Sequence, residues 1–293
     1  MVLTAGYLLW RLLTPIVCIL PVSISYRLAS LAGLLAYYVW HEKREYAKNN
    51  FTNVLGLTES DEAASRLAKE SFRYYAKYLV DFARIKSDGH LKCLEKVSYT
   101  NWDAIEKAHS RGHGTLMIGL HQGNWDIGLA LLTQHRFSVK VLVDDLPTHN
   151  MDHISLNSRK TLGATIQPIS DNMRPVIRAL KRNEIVAMLI DQPHAIKKVR
   201  VSFLNQWISV PSGAANLALR TGATIITGGI IRNEDNNSFQ AIINEPISPQ
   251  ITDHLDRDIQ RLTQNVMTSL EQLVLRHPEQ WFVFRPLWQE EAQ

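Results

Sequence analysis

Residues 115–130 read Thr-Leu-Met-Ile-Gly-Leu-His121-Gln-Gly-Asn-Trp-Asp126-Ile-Gly-Leu-Ala. The apolar run from Leu116 to Leu120 has the length of a buried strand, and it stops at His121. The next three residues predict a turn, and the apolar residues from Trp125 to Leu132 predict a helix. A strand, a polar loop and a helix in this order commonly present a reactive group at the carboxyl edge of an α/β sheet.

The polar residues of this stretch predict a histidine–carboxylate dyad. Asn124 or Gln122 could cap the helix, and Asp126 falls in its first turn, where a carboxylate is favoured. From there Asp126 could turn back to the imidazole of His121, fix its tautomer and make it a general base. The H-x4-D spacing alone leaves a second interpretation open, in which Asp126 is an ordinary helix residue and His121 a hydrogen-bonded core histidine.

Length and composition indicate an ordinary globular chain. It has 293 residues, of which 45% are apolar and 20% charged, with a net charge of +4 and a pI near 9.0. This mildly basic balance suits an anionic membrane surface or a phosphate-bearing substrate, and it is too weak to indicate nucleic acid. The two isolated cysteines, Cys18 and Cys93, form no disulfide framework or zinc finger, which fits a reducing compartment.

The first 40 residues differ from the rest of the chain. Neither Leu12–Tyr26 nor Leu28–Trp40 contains a charge, and each is shorter than the roughly 18 to 20 apolar residues that span a bilayer. Their tyrosines and tryptophans are typical of the headgroup level. We expect residues 1–45 to be helices lying in or dipping into the membrane interface, ahead of an α/β domain at 46–293; a buried helical pair is the alternative.

Beyond residue 96, strand patterns alternate with helix patterns. We predict strands at 97–99, 116–120, 138–143, 164–169, 185–190, 224–231 and 239–244, and helices at 102–111, 125–132, 150–161, 173–182, 212–220 and 253–276. This alternation predicts an α/β fold with a mixed, mostly parallel central sheet flanked by helices, preceded by the N-terminal membrane-associated helical element.

Several kinds of active site lack their sequence signature here. The chain has no G-x-S-x-G elbow, no G-x-x-x-x-G-K-[ST] loop and no G-x-G-x-x-G. A metal-dependent hydrolase is a competing hypothesis, because His109 and His113 have a spacing found at metal sites and Asp144 and Asp145 follow a predicted strand. Two further histidines, His149 and His153, share that spacing. A non-catalytic lipid-binding protein is the third hypothesis.

Taken together, several blocks in one order resemble a known family. They are the strand ending in His121-Gln-Gly-Asn-Trp-Asp126, Arg159 with Gly163, Val186–Gln192, Phe203, Pro211–Ala223, Glu245-Pro-Ile and Pro278-Glu-Gln-Trp281. This pattern resembles the bacterial lipid A biosynthesis acyltransferases (lauroyl/myristoyl acyltransferases), a family that includes phosphatidylinositol mannoside acyltransferases. The Gly-Asn-Trp-Asp form is closer to the mannoside-acylating and uncharacterised branches, since the lipid A enzymes usually carry glutamate in place of Asp126.

The resemblance implies a reaction and a place in the cell. His121, oriented by Asp126, would deprotonate a hydroxyl of a glycolipid or lysolipid, which would attack the thioester of acyl-CoA or acyl carrier protein. It implies no cofactor or metal beyond that donor, with backbone N–H groups after His121 and at the helix start, or an arginine, as oxyanion donors. We expect a peripheral or monotopic protein on the cytoplasmic face of a bacterial inner membrane, with lipid and donor as its partners and no nucleic acid.

Other residues are predicted to bind substrate. The backbone at Gly123 would allow close approach, and Asn124 lies in the same turn. Arg159 is a further candidate for substrate binding. Arg174 could contact a donor phosphate or an acceptor headgroup, with a solvated helix arginine as its alternative. Asp191 ends a predicted strand on the same sheet edge as His121, with a loop-capping role as its alternative.

Overall fold

A computed structural model of the chain describes residues 2–56, 61–85, 93–144, 156–191 and 197–288. Its helices, in chain order, are α1 (Val2–Ile19), α2 (Val22–Val39), α3 (His41–Leu55), α4 (Asp61–Arg84), α5 (Asp103–Ser110), α6 (Trp125–Gln134), α7 (Arg174–Lys181), α8 (Gly213–Thr221) and α9 (Leu255–Arg276). Residues 156–161 are also helical, and a short 3-10 helix at Pro278–Gln280 follows α9.

The described part of the chain contains nine strands, and seven of them form the central sheet. The strands are β1 (Val97–Thr100), β2 (Thr115–Gly119), β3 (Val139–Val143), β4 (Thr165–Pro168), β5 (Ile185–Leu189), β6 (Lys198–Phe203), β7 (Gln206–Pro211), β8 (Thr224–Arg232) and β9 (Phe239–Ile243). The sheet order is β1-β9-β8-β2-β5-β3-β4, while β6 and β7 form a separate antiparallel hairpin. Five adjacent strands run parallel to one another, namely β8, β2, β5, β3 and β4, and β9 runs antiparallel to β8.

Apolar side chains bury both faces of this sheet. Leu116 and Ile118 of β2 point into a core shared with α7, α8 and α9. The alternate residue Met117 and Ile185 of β5 face a second core, shared with α5 and α6. Continuous apolar strands covered on both sides are the rule for parallel sheets. The predicted fold class, a mixed and mostly parallel sheet flanked by helices, is confirmed.

Both strands of the hairpin, β6 and β7, are absent from the strands predicted above. The hairpin turn between β6 and β7 consists of Leu204 and Asn205, both with positive φ (54° and 60°). Two-residue hairpin turns that need positive φ at both positions usually contain glycine, which marks them in a sequence. Because leucine stands there instead, the strand β7 had no turn signal before it.

The N-terminal helices α1 and α2 both pack against α4. Pro21 separates the two helices and occupies the N-cap position of α2. Tyr26 and Ala29 of α2 pack against Val80 of α4, while the opposite face of α2 is exposed. By length and composition, α2 is the one helix in the described part of the chain that could cross a membrane. The predicted domain boundary, between residues 45 and 46, lies within α3.

Aromatic side chains recur at helical spacing along α4 and pack against neighbouring rings; they are Phe72, Tyr75, Tyr78 and Phe82. The ring of Tyr75 lies 5.3 Å from that of Phe282, and Phe72 lies 4.6 Å from Phe284. These contacts fix the chain after α9 against α4, so that the C-terminal segment runs along the carboxyl edge of the sheet.

A buried charge connects three parts of the fold. Asp81 of α4 accepts hydrogen bonds from Tyr26 Oη at 2.5 Å, from Asn124 Nδ2 at 2.8 Å and from the guanidinium of Arg232 in β8. The side chains of Asp81 and Arg232 are only 7% and 4% exposed. Such a pair is costly to break, because the remaining partner is a buried charge without compensation.

We therefore predict that Asp81→Ala lowers the free energy of unfolding by about 3–5 kcal/mol, measured by urea denaturation. Asp103→Ala, which removes an exposed pair with Lys107, is the control and should change stability far less. Similar small losses in the two variants would contradict a structural role for Asp81.

Candidate active site

The register of two neighbouring parallel strands determines the site. Gly119 at the end of β2 pairs with Leu189 at the end of β5, so the residues two positions further on, His121 and Asp191, emerge side by side. The Nδ1 atom of His121 lies 2.6 Å from Oδ1 of Asp191. The backbone N–H of His121 also donates to Oδ2 of Asp191, at 2.8 Å.

Asp191 is itself held in place. It is 4% exposed and accepts a third hydrogen bond, from Trp281 Nε1 at 3.1 Å. Burial alone would raise the pKa of Asp191, but the His121 imidazole and these hydrogen bonds outweigh burial and bring the pKa below its ordinary value. An ionised carboxylate on Nδ1 favours the tautomer with its proton on that nitrogen. The lone pair of the neutral ring is then on Nε2, and the histidine side chain is 22% exposed.

The predicted pairing of His121 with Asp126 is wrong in its geometry. Asp126 is 2% exposed and accepts hydrogen bonds from Arg159 Nε at 2.8 Å and from Tyr78 Oη at 2.8 Å. The first turn of α6 directs Asp126 towards α4, whereas the carboxylate after β5 is level with the imidazole. Asp191, predicted as a substrate-binding residue, therefore takes the orienting position that the sequence assigns to Asp126.

Arg159, predicted to bind substrate, is held by this second carboxylate. Burial alone would lower its pKa, but the negative charge of Asp126 and the hydrogen bonds of the cluster raise it above its ordinary value. Its guanidinium also lies 5.8 Å from the centre of the Phe82 ring. The Arg159–Asp126–Tyr78 cluster joins the helical residues 156–161 to α4 and α6.

Gly123 and Asn124 contact protein in this structure. The φ angle of Gly123 is +64°, and a Cβ there would lie 1.9 Å from the carbonyl oxygen of Ile230. Its close approach is thus to the backbone of β8. Asn124 Oδ1 accepts from the N–H of Ile127 at 3.1 Å, which confirms Asn124, rather than Gln122, as the helix cap. Asn124 Nδ2 donates to Asp81.

Arg174 begins α7 and is exposed. In the described part of the chain it makes no hydrogen bond or ion pair with His121 or Asp191. Its predicted contact with substrate stays a prediction.

The backbone N–H groups directly after His121 are already engaged. Those of Gln122, Gly123 and Asn124 donate to the carbonyls of Leu120, Gln280 and Ile230. Within the described ranges, the N–H groups of Trp125 and Asp126, at the start of α6, have no acceptor. The sequence-based list of oxyanion donors therefore narrows to the helix start and the arginines.

The C-terminal segment contributes residues that the sequence analysis did not single out. Phe282 N donates to the carbonyl of His121 at 2.8 Å, and Trp281 holds Asp191. Arg285 donates from Nη2 to the carbonyl of Asp191. The sequence did contain a signal for this segment, because the Pro-Glu-Gln-Trp block at 278–281 is one of the blocks that resemble the acyltransferase family. The block alone, however, indicated no role for Trp281.

The residues proposed for a metal site lie at opposite edges of the sheet. His109 and His113 precede β2, while Asp144 follows the parallel strand β3, and five strand residues separate the edges by roughly 16 Å. The described residues contain no group of three or more His, Cys, Asp or Glu side chains placed to hold a metal ion. Asp145, His149 and His153 lie outside the described residues.

The structure thus places a carboxylate-bound histidine at the carboxyl edge of a mostly parallel sheet, an arrangement that is chemically suited to accept a proton. The model of the family described as "Bacterial lipid A biosynthesis acyltransferase" matches residues 3–290. The chain belongs to this family of acyltransferases, as its sequence blocks predict.

Two mycobacterial relatives agree with this assignment. Phosphatidylinositol mannoside acyltransferase from Mycobacterium tuberculosis is 23% identical over 258 residues, covering 86% of this chain and 79% of the relative. The enzyme of that name from Mycolicibacterium smegmatis is 22% identical over 248 residues, covering 83% and 79%. Among solved structures, the 1-acyl-sn-glycerophosphate acyltransferase from Thermotoga maritima aligns with a TM-score of 0.40 at 14% identity, covering 85% of this chain and 97% of that one.

The depressed pKa of Asp191 predicts a pH dependence of stability. A carboxylate whose pKa is lower in the folded state contributes stability that is complete above its unfolded pKa, near 3.9, and is lost as the pH falls through the folded value. We expect the stability difference between wild type and Asp191→Asn to shrink on acidification from about pH 5 to about pH 3, measured by urea denaturation. A difference that is constant or grows would contradict the ionised pair.

Proposed function

We propose that this protein transfers a fatty acyl chain from an acyl thioester, acyl-CoA or acyl carrier protein, to a hydroxyl group of a glycolipid or lysolipid. The observation that carries the proposal is the 2.6 Å contact between His121 Nδ1 and Asp191 Oδ1 at the sheet edge. Family membership supports acyl transfer to a lipid, and the names of the mycobacterial relatives favour a glycolipid acceptor.

In the proposed mechanism, His121 acts as a general base through Nε2. It takes the proton of the acceptor hydroxyl while the oxygen attacks the thioester carbonyl and forms a tetrahedral oxyanion. Collapse of this intermediate breaks the carbon–sulfur bond, and the imidazolium returns its proton to the departing thiolate. Asp191 stabilises the imidazolium between these two steps, and Trp281 keeps Asp191 in position.

In this proposal, two features of α6 help to stabilise the tetrahedral oxyanion. The N–H groups of Trp125 and Asp126 are at the positive end of the helix, where developing negative charge is favoured. The side chain of Asp126 acts as a positioning residue, because it fixes Arg159 and Tyr78 beside this helix start.

Both alternative functions are less well supported. A metal-dependent hydrolase built on His109, His113 and Asp144 would need residues from opposite sheet edges. A non-catalytic lipid-binding protein would have no use for an aligned and partly exposed imidazole–carboxylate pair.

The dyad predicts a specific pattern of lost activity. In an assay of thioester consumption with mass-detected lipid products, His121→Ala and Asp191→Asn should each reduce kcat roughly 10²–10⁴-fold, because the first lacks the base and the second no longer stabilises the required tautomer. His113→Ala is the matched control, since His113 lies at the other edge of the sheet. Full activity in His121→Ala would refute the mechanism; loss in His113→Ala together with inhibition by chelators would favour the metal enzyme.

We propose further that the exposed face of α2 binds the cytoplasmic face of a bacterial inner membrane. Leu28, Leu31 and Leu35 are 52%, 64% and 64% exposed and recur at helical spacing. An exposed apolar stripe on a helix, in a chain with net charge +4, suits a bilayer surface with anionic lipids. This arrangement describes a peripheral or monotopic protein.

Replacing Leu28, Leu31 and Leu35 by asparagine should reduce cosedimentation with anionic vesicles at least tenfold, since each buried leucine contributes roughly 1.5–3 kcal/mol. The melting temperature should change little, because these side chains face away from α4. Ile251→Asn, at an exposed apolar position elsewhere, is the control. Unchanged vesicle binding by the triple variant would exclude the exposed face of α2 as the membrane-binding surface.

A further inference from the structure

Arg285 is a cation next to the general base that neither the sequence analysis nor the proposed mechanism uses. Its Nη2 donates to the backbone carbonyl of Asp191, the residue whose carboxylate holds His121. Its own backbone carbonyl accepts from Asn50 Nδ2 at 2.7 Å, which anchors the main chain independently of the side chain. The position of the guanidinium is therefore determined by the fold.

The guanidinium of Arg285 stays charged, and most of its N–H donors make no hydrogen bond to the described residues. Burial lowers the pKa of Arg285, while the carboxylates of Asp191 and Asp144 act in the opposite direction; an arginine stays protonated under these conditions. Within the part of the chain that the structure describes, the contact with Asp191 is its one hydrogen bond, although a guanidinium carries five N–H donors. A partly buried cation with donors to spare favours an anionic ligand.

We infer that Arg285 binds an anionic oxygen of the reacting substrates, next to the carbonyl carbon of the transferred acyl group. This inference rests on the proposed acyl transfer at His121. The guanidinium contacts Asp191, which follows β5, and β5 lies between β2 and β3, from which His121 and Asp144 follow. An acyl thioester within reach of the imidazole is therefore also close to Arg285.

Two anionic oxygens fit this location. One is the tetrahedral oxyanion formed on the thioester carbonyl, and the other is a phosphate oxygen of a phosphate-bearing lipid acceptor whose hydroxyl is at the base. The phosphates of coenzyme A or of a carrier protein are excluded as the ligand, because they are at the far end of the pantetheine arm from the thioester.

The first test is binding, which does not depend on turnover. Octyl phosphate combines a tetrahedral anion with an alkyl chain, and calorimetric titration should show at least tenfold weaker binding to Arg285→Gln than to wild type. Arg220→Gln is the matched control, since Arg220 is exposed at the end of α8, at the opposite sheet edge. Equal binding by all three proteins, or no binding by the wild type, would overturn the inference.

Kinetics then distinguish the two sources of the anion. If the ligand is the oxyanion, Arg285→Gln lowers kcat for transfer and for acceptor-free hydrolysis of the thioester by the same factor, and Arg285→Lys recovers part of it. If the ligand is the acceptor phosphate, hydrolysis is unchanged, and KM rises for phosphate-bearing acceptors but not for a neutral alkyl glycoside. Parameters equal to those of Arg220→Gln would overturn the inference, whereas a wild type without transfer or hydrolysis would refute the proposed function instead.

Discussion

The site depends on the alignment of β2 with β5. In a parallel pair, side chains alternate between faces, so a slip of one residue would turn Asp191 away from the imidazole. The alignment is secured from both sides: β2 also pairs with β8, and β5 also pairs with β3, which places both strands at the centre of the sheet. Central strands are the least free to shift, so the fold supplies the precision that the proposed general base requires.

Two buried carboxylates at this edge have different environments and different roles. Asp126 accepts hydrogen bonds from a guanidinium and a phenol, which occupy both of its oxygens. Asp191 accepts from an imidazole, a backbone N–H and an indole N–H, so the imidazole is the one titratable group bonded to its carboxylate among the described residues. Asp191 can therefore stabilise the protonated form of His121 whenever the imidazole gains a proton. Asp126, in contrast, is neutralised by the permanent positive charge of Arg159.

The sequence predicted the features that are local along the chain. A strand ending in His121 and a helix capped by Asn124 follow from periodicity and capping chemistry within about ten residues. The partner of His121 is 70 residues away, and its position depends on which strands are neighbours and on their register, which a single sequence does not encode locally. For the same reason Arg285 was missed, because only the return of the C-terminal segment brings it to Asp191. Asp126 was favoured because it was near in sequence.

The two faces of α2 connect the proposed membrane contact to the geometry of the site. Its outer leucines are exposed, while Tyr26 on its inner face donates to Asp81, which also binds the Asn124 side chain that caps α6. Deleting the N-terminal helices would therefore remove a hydrogen bond from the carboxylate that positions this cap, in addition to removing the apolar stripe. A loss of activity in such a truncated protein would not distinguish a missing anchor from a displaced helix start. Substitutions on the exposed face alone separate the two effects, because they leave Tyr26 and the buried charge pair in place.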